Sequence, residues 1–144
     1  MKLSDQVCTL RQAMRLKELG IAQEGLYTWL FSPLSGDWAI SHQTAEALHI
    51  LKYANPKSKE WAERKERGWY SAFTVAELGV MLPFNCISYL DCYHRWSATN
   101  DYQNPNIEFE YIGETECDAR ASLVISLLET GLLTAEEANK RLKA

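Results

Sequence analysis

Ile107-Glu-Phe-Glu-Tyr-Ile-Gly-Glu-Thr-Glu-Cys-Asp-Ala-Arg-Ala-Ser-Leu-Val-Ile-Ser-Leu-Leu-Glu-Thr-Gly131 changes its period halfway along. From Ile107 to Ile112 acidic and apolar residues alternate, which predicts a strand with Glu108 and Glu110 on one face and apolar or aromatic side chains on the other. From Thr115 the period turns helical. Thr115 and Asp118 make a capping box, with Asp in place of the usual Glu. Ala121, Val124, Ile125 and Leu128 form a stripe that Leu123 and Leu127 broaden, and Gly131 supplies the left-handed residue after the helix. A strand running into a capped helix, with more of each upstream, gives an α+β fold: an antiparallel aromatic-rich sheet with helices against one face, in a single compact domain over 1–144.

Working outward, Thr134-Ala-Glu-Glu137 opens a final short helix carrying Ala135, Ala138 and Leu142. Thr74-Val-Ala-Glu77 is another capping box, followed by Val75, Leu78 and Leu82 on one face and by Pro83 as the stop. At the N-terminus Val7, Leu10 and Met14, widened by Leu16 and Leu19, predict a helix ended by Gly20. Leu26–Phe31 and Trp38–Ile40 read as a hairpin around Ser32-Pro-Leu-Ser-Gly-Asp37. Residues 86–97 read as a further strand, with Asn100–Asn106 as the connection to 107–112. Residues 44–54 fit a helix stopped by Asn55-Pro56. The charged run 57–68 leaves open a solvated helical turn or a mobile loop.

Composition bounds the rest. The chain has 144 residues, 47% apolar and 24% charged, which suits one ordinary domain and speaks against disorder, collagen or a long coiled coil. All sixteen aromatic residues fall between Tyr27 and Tyr111. No apolar window is long enough to span a membrane, and the polar start Met1–Gln6 lacks the core of a signal peptide, so the expected location is cytoplasmic. In that reducing compartment Cys8, Cys86, Cys92 and Cys117, at irregular spacing, are expected to be free thiols. Residues 1–100 hold 11 basic and 10 acidic side chains, whereas residues 101–144 hold 4 and 9. The basic cluster Lys57, Lys59, Arg64, Lys65 and Arg67 is diluted by Glu60, Glu63 and Glu66, so nucleic acid is a disfavoured partner.

Three segments in order, Val7-Cys-Thr-Leu-Arg-Gln-Ala-Met-Arg-Leu-Lys-Glu-Leu-Gly20, Ser71-Ala-Phe-Thr-Val-Ala-Glu-Leu-Gly-Val-Met-Leu-Pro83, and Thr115-Glu-Cys-Asp-Ala-Arg-Ala121 with Leu127-Leu-Glu-Thr-Gly-Leu-Leu133, resemble an uncharacterised family of small proteins from bacterial, prophage and phage genomes. The resemblance covers roughly a third of the chain and falls on helix starts and stops. It implies a mobile-element origin and assigns no catalytic residue.

Several groups can be weighed for chemistry. Cys86, Cys92 and His94, with Asp91 beside them, are the densest set of metal-ligand types. On one strand Cys86 and His94 stand about 26 Å apart, too far for one ion. A Cys92–His94 half-site completed by Cys8, Cys117 or His42 is the remaining metal option. Buried thiols and a surface imidazole are the preferred reading, with no metal or cofactor expected. Cys117, in the first turn of a helix, has the position of an activated thiol, but Glu116 and Asp118 oppose a thiolate and the apolar stripe points to a core role. Glu108 and Glu110 stand about 7 Å apart along a strand, the separation of an inverting carboxylate pair, yet alternation alone explains them. No Gly-rich phosphate loop, GxSxG, HExxH or EF-hand pattern occurs.

The aromatic middle is therefore where function is expected. Trp61, Trp69 and Tyr70, interleaved with Arg64 and Arg67, have the residue types of a protein interface. The first expectation is a non-catalytic accessory protein of phage or mobile-element origin that binds a protein partner or itself. The alternative is a small-ligand binder or enzyme with a Trp/Tyr-lined pocket and polar groups from His42, Asp91, His94 or Glu110. A weak single-strand binder acting through 57–70 comes third.

Overall fold

A computed structural model describes residues 1–33, 35–42, 57, 59, 62, 66–83, 85–100 and 109–144. A short 3-10 helix, Leu3–Asp5, precedes α1 (Leu10–Glu18). Strands β1 (Tyr27–Ser32), β2 (Asp37–His42) and β3 (Trp69–Ala72) follow, then α2 (Val75–Met81). Strands β4 (Ile87–Leu90), β5 (Trp96–Thr99) and β6 (Glu110–Gly113) lead into α3 (Glu116–Thr130) and α4 (Ala135–Lys143). The fold is α+β. Its described strands form two three-stranded antiparallel sheets, in the orders β2-β1-β3 and β4-β5-β6, rather than one.

Helix α3 explains the division. One side of it lies on the second sheet, where Ala98 is fully buried and the Tyr111 hydroxyl donates to Ser126 Oγ at 2.6 Å. Its other sides meet α1 and α2. Cys117, Ala119, Ala121, Leu123, Val124 and Leu127 are consequently all buried, a wider face than a single stripe. The first sheet joins this core through β3, which packs on α1, and through Phe73, which is fully buried. Arg120 reaches from α3 across α2 to donate to the Val75 carbonyl at 3.1 Å, to Ser88 Oγ at 2.8 Å and to Glu116 at 2.8 Å. Gly79 leaves room for that crossing, since a Cβ there would collide with the guanidinium.

The capping boxes at Thr74 and Thr134 form as expected; Thr115 caps α3 by accepting from Asp118 N, but the expected box is not closed, because the Asp118 carboxylate accepts from Glu114 N instead of Thr115 N. Gly20 and Gly131 take positive φ at the ends of their helices. Three further expectations are corrected. The first helix starts at Leu10 under a box made by Thr9 and Gln12; Val7 instead pairs with Thr74 in a β-bridge, and Met14 is 38% exposed while Ala13 and Leu16 are buried. Residues 86–97 are not one strand, because Asp91–Arg95 turns the chain between β4 and β5. Strand β3 was not anticipated at all. The expected helix at 44–54, most of 57–65 and residues 101–108, including Glu108, lie outside the described residues.

Candidate functional site

Register places the aromatics. In β1, Tyr27 lies opposite His42 of β2 and Ala72 of β3, Trp29 opposite Ile40 and Tyr70, and Phe31 opposite Trp38. Opposed residues of antiparallel strands share a face, and so do residues two apart. Tyr27, Trp29, Phe31, Trp38, Ile40, His42 and Tyr70 therefore line one side of the first sheet. Trp29 is anchored inward, its Nε1–H donating to the Cys8 carbonyl at 3.0 Å. Phe31 and Trp38 meet edge to face at 5.7 Å, and Trp38 lies 5.8 Å from Tyr70.

Two cations complete the surface. Lys17, in the last turn of α1, donates to the Trp69 carbonyl at 3.0 Å. Its ammonium stands 5.0 Å from the Trp69 ring centre and 4.9 Å from that of Tyr70. Partial burial there lowers its pKa from the ordinary lysine value. The Arg67 guanidinium sits 4.5 Å from the Phe31 ring centre. Such contacts contribute about 0.5–1 kcal/mol each at exposed sites. Neither cation has a carboxylate partner among the described residues.

Of the residues singled out in the sequence, Tyr70 and Arg67 come to this face; Trp69, opposite Leu30, is on the other face of β3 and meets the group only through Lys17. Trp61 and Arg64 lie outside the described residues. His42 is at the far end of the same face, edge-on to Tyr27 at 5.1 Å. Lys17, Phe31 and Trp38 were missed; the i-to-j register that joins them is long-range, and only the pairing of the 27–31 and 38–40 segments could have hinted at it.

His94 is elsewhere, in the β4–β5 turn, with φ of 59°. The Asp91 carboxylate accepts from Tyr93 N at 2.9 Å, Arg95 N at 2.9 Å and Arg95 Nε at 3.0 Å, and the Arg95 backbone donor leads the causes that hold its pKa below the usual value. Cys92 and His94 thus sit on a turn rather than alternating along a strand, and among the described residues no group of three His, Cys, Asp or Glu could hold a metal. Cys8 and Cys117 are wholly buried, and burial pushes the Cys8 thiol up to about 12 and Cys117 in the same direction. Burial raises Cys86 to about 11. Glu110 accepts from Ser97 and Tyr89, each at 2.8 Å, and these bonds lower its pKa, the opposite of what a general acid needs. A cleft of about 670 Å³ does carry Tyr27 and Trp96 on its walls, but His42, Asp91, His94 and Glu110 are not part of it.

No family model, curated protein or solved structure matches this chain.

Proposed function

We propose that the protein is a non-catalytic binding protein that docks another protein on the aromatic face of its first sheet. The observation that carries this reading is the pair of cations laid on ring faces, Lys17 on Trp69 and Tyr70 and Arg67 on Phe31, with no carboxylate paired to either among the described residues. A partner that brings carboxylates to these two groups and covers the half-buried Trp38 and Tyr70 gains ion pairs and apolar burial together.

The sequence itself is acidic toward its end, where residues 101–144 hold nine acids against four bases. A second copy is therefore the partner proposed. Joining a cationic face to an acidic region elsewhere on the molecule is a heterologous contact, which adds copies head to tail instead of closing at a pair. The same proposal includes a cytoplasmic location, in keeping with four free cysteines, and the mobile-element origin suggested by the helix-boundary segments. Among the described residues no helix is long and apolar enough to cross a membrane.

Light scattering behind size exclusion tests the reading. The expected result is a mass that climbs with micromolar concentration at low salt, falls back at high salt, and stays at the monomer value in Lys17→Glu/Arg67→Glu. A wild-type protein that remains strictly monomeric, or a double variant that associates as well as the wild type, contradicts it.

A further inference from the structure

A second site meets the sheet face only at Tyr27. The cleft of about 670 Å³ opens where the two sheets approach the start of α2 and the turn before α3. That volume suits a small organic molecule. Tyr27 forms one aromatic wall and Trp96, whose other side packs on the core, forms another. Leu26 and Val75 supply apolar lining, and Asp5 and Glu114 stand at its exposed edge.

Charge decides the sign of the ligand. The third carboxylate of the cleft, Glu116, is already paired with Arg120 at 2.8 Å and accepts from the Ser88 hydroxyl at 2.5 Å. Glu114 differs. Its backbone N–H donates to Asp118 at 3.3 Å, but its carboxylate has no partner among the described residues. It also precedes the Thr115 cap, so capping of α3 does not account for it. Among the described residues Asp5 accepts only from the neighbouring Ser4 hydroxyl, at 3.4 Å. Among the described residues no Lys, Arg or His lines the cleft, and the guanidinium of Arg120, which reaches Val75 and Glu116 of its lining, is spent on Glu116. An anion therefore meets uncompensated negative charge. A bare metal ion leaves the aromatic walls unused, and the described carboxylates are not grouped to ligate one.

We propose that the cleft binds a small organic cation with a flat apolar body, an arylalkyl amine in class. The ammonium or guanidinium group faces Glu114 and Asp5, while the body lies between Trp96 and Tyr27. Trp is the strongest ring partner for a cation, so the same wall serves both halves of the ligand.

Three near-isosteric probes separate the terms: 2-phenylethylamine, 2-phenylethanol and phenylacetate. Each is titrated into protein carrying Lys17→Glu/Arg67→Glu, so that self-association cannot mask or mimic binding, and the indole N–H resonances are followed by NMR. The amine is expected to shift the Trp96 resonance saturably, the alcohol to do so more weakly, and the acid not at all. Glu114→Gln/Asp5→Asn, both at exposed positions, is expected to weaken the amine by about fivefold, the worth of two surface ion pairs. Equal shifts from all three probes, no saturable shift at Trp96, or unchanged affinity in the carboxylate variant overturns the proposal. None of these outcomes bears on the sheet face, because the two sites share no residue that is altered.

Discussion

Cys8 and Cys117 approach the core from opposite ends of the chain and bond to adjoining stretches of backbone. The Cys8 thiol donates to the Ser71 carbonyl at 3.9 Å and Cys117 to that of Phe73 at 3.2 Å. With both sulfurs buried, the thiolate is the costly form, which is why both pKa values rise. Iodoacetamide is expected to modify exposed Cys92 in native protein and to reach Cys8 and Cys117 only after unfolding. Rapid native labelling of Cys117 would contradict the burial. The pH dependence has a definite sign. The Cys8 folded value, about 12, lies above its ordinary 9.0, so its contribution is complete below pH 9 and is lost as the pH rises toward 12. Urea midpoints measured across that range should fall, and Cys8→Ala should remove part of the slope. The core role of Cys117 was legible in its apolar neighbours. The turn at Asp91 was not, because its left-handed position is held by His94 where glycine or asparagine would have marked it.

At the scale of elements, the capping residues do more than start helices. Glu77 closes the Thr74 box by accepting from Thr74 N at 2.8 Å, and its other oxygen accepts from Leu26 N at 2.7 Å. One carboxylate thus ties the start of α2 to the entry of β1. Glu137 serves only its own box at Thr134. Thr74→Ala is expected to cost about 1 kcal/mol by urea denaturation, the usual loss for a cap. Glu77→Ala should cost more than either Thr74→Ala or Glu137→Ala, since it also strands the Leu26 amide. Equal losses at Glu77 and Glu137 would show that the tie to β1 contributes nothing. These boxes were readable because a cap is local: a Thr and, three residues on, a carboxylate. Strand β3 was unreadable for the complementary reason. Trp69-Tyr70-Ser71-Ala72 is four residues long, follows a charged run, and becomes a strand by pairing with β1, some forty residues upstream. The breadth of the buried surface on α3 has the same origin, in the two layers that enclose it.

Across the whole molecule, the aliphatic helices gather around α3 and most of the described aromatic residues populate the two sheets beside it. That separation was visible as sixteen aromatics confined between Tyr27 and Tyr111. Which rings would share a face was not, because the grouping depends on register and on Lys17 arriving from a helix ten residues before β1. The cleft was equally hidden, since Asp5, Tyr27, Trp96 and Glu114 converge from four separate segments. The central claim is that the first sheet's aromatic face is the working surface, and the indole resonances report on it directly. Trp29 is an internal reference, with its N–H held by the Cys8 carbonyl. In an NMR concentration series the account predicts that the Trp38 indole signal shifts and broadens as concentration rises while Trp29 holds still, and that Lys17→Glu/Arg67→Glu removes the change. A Trp38 signal that stays fixed across the series would contradict it.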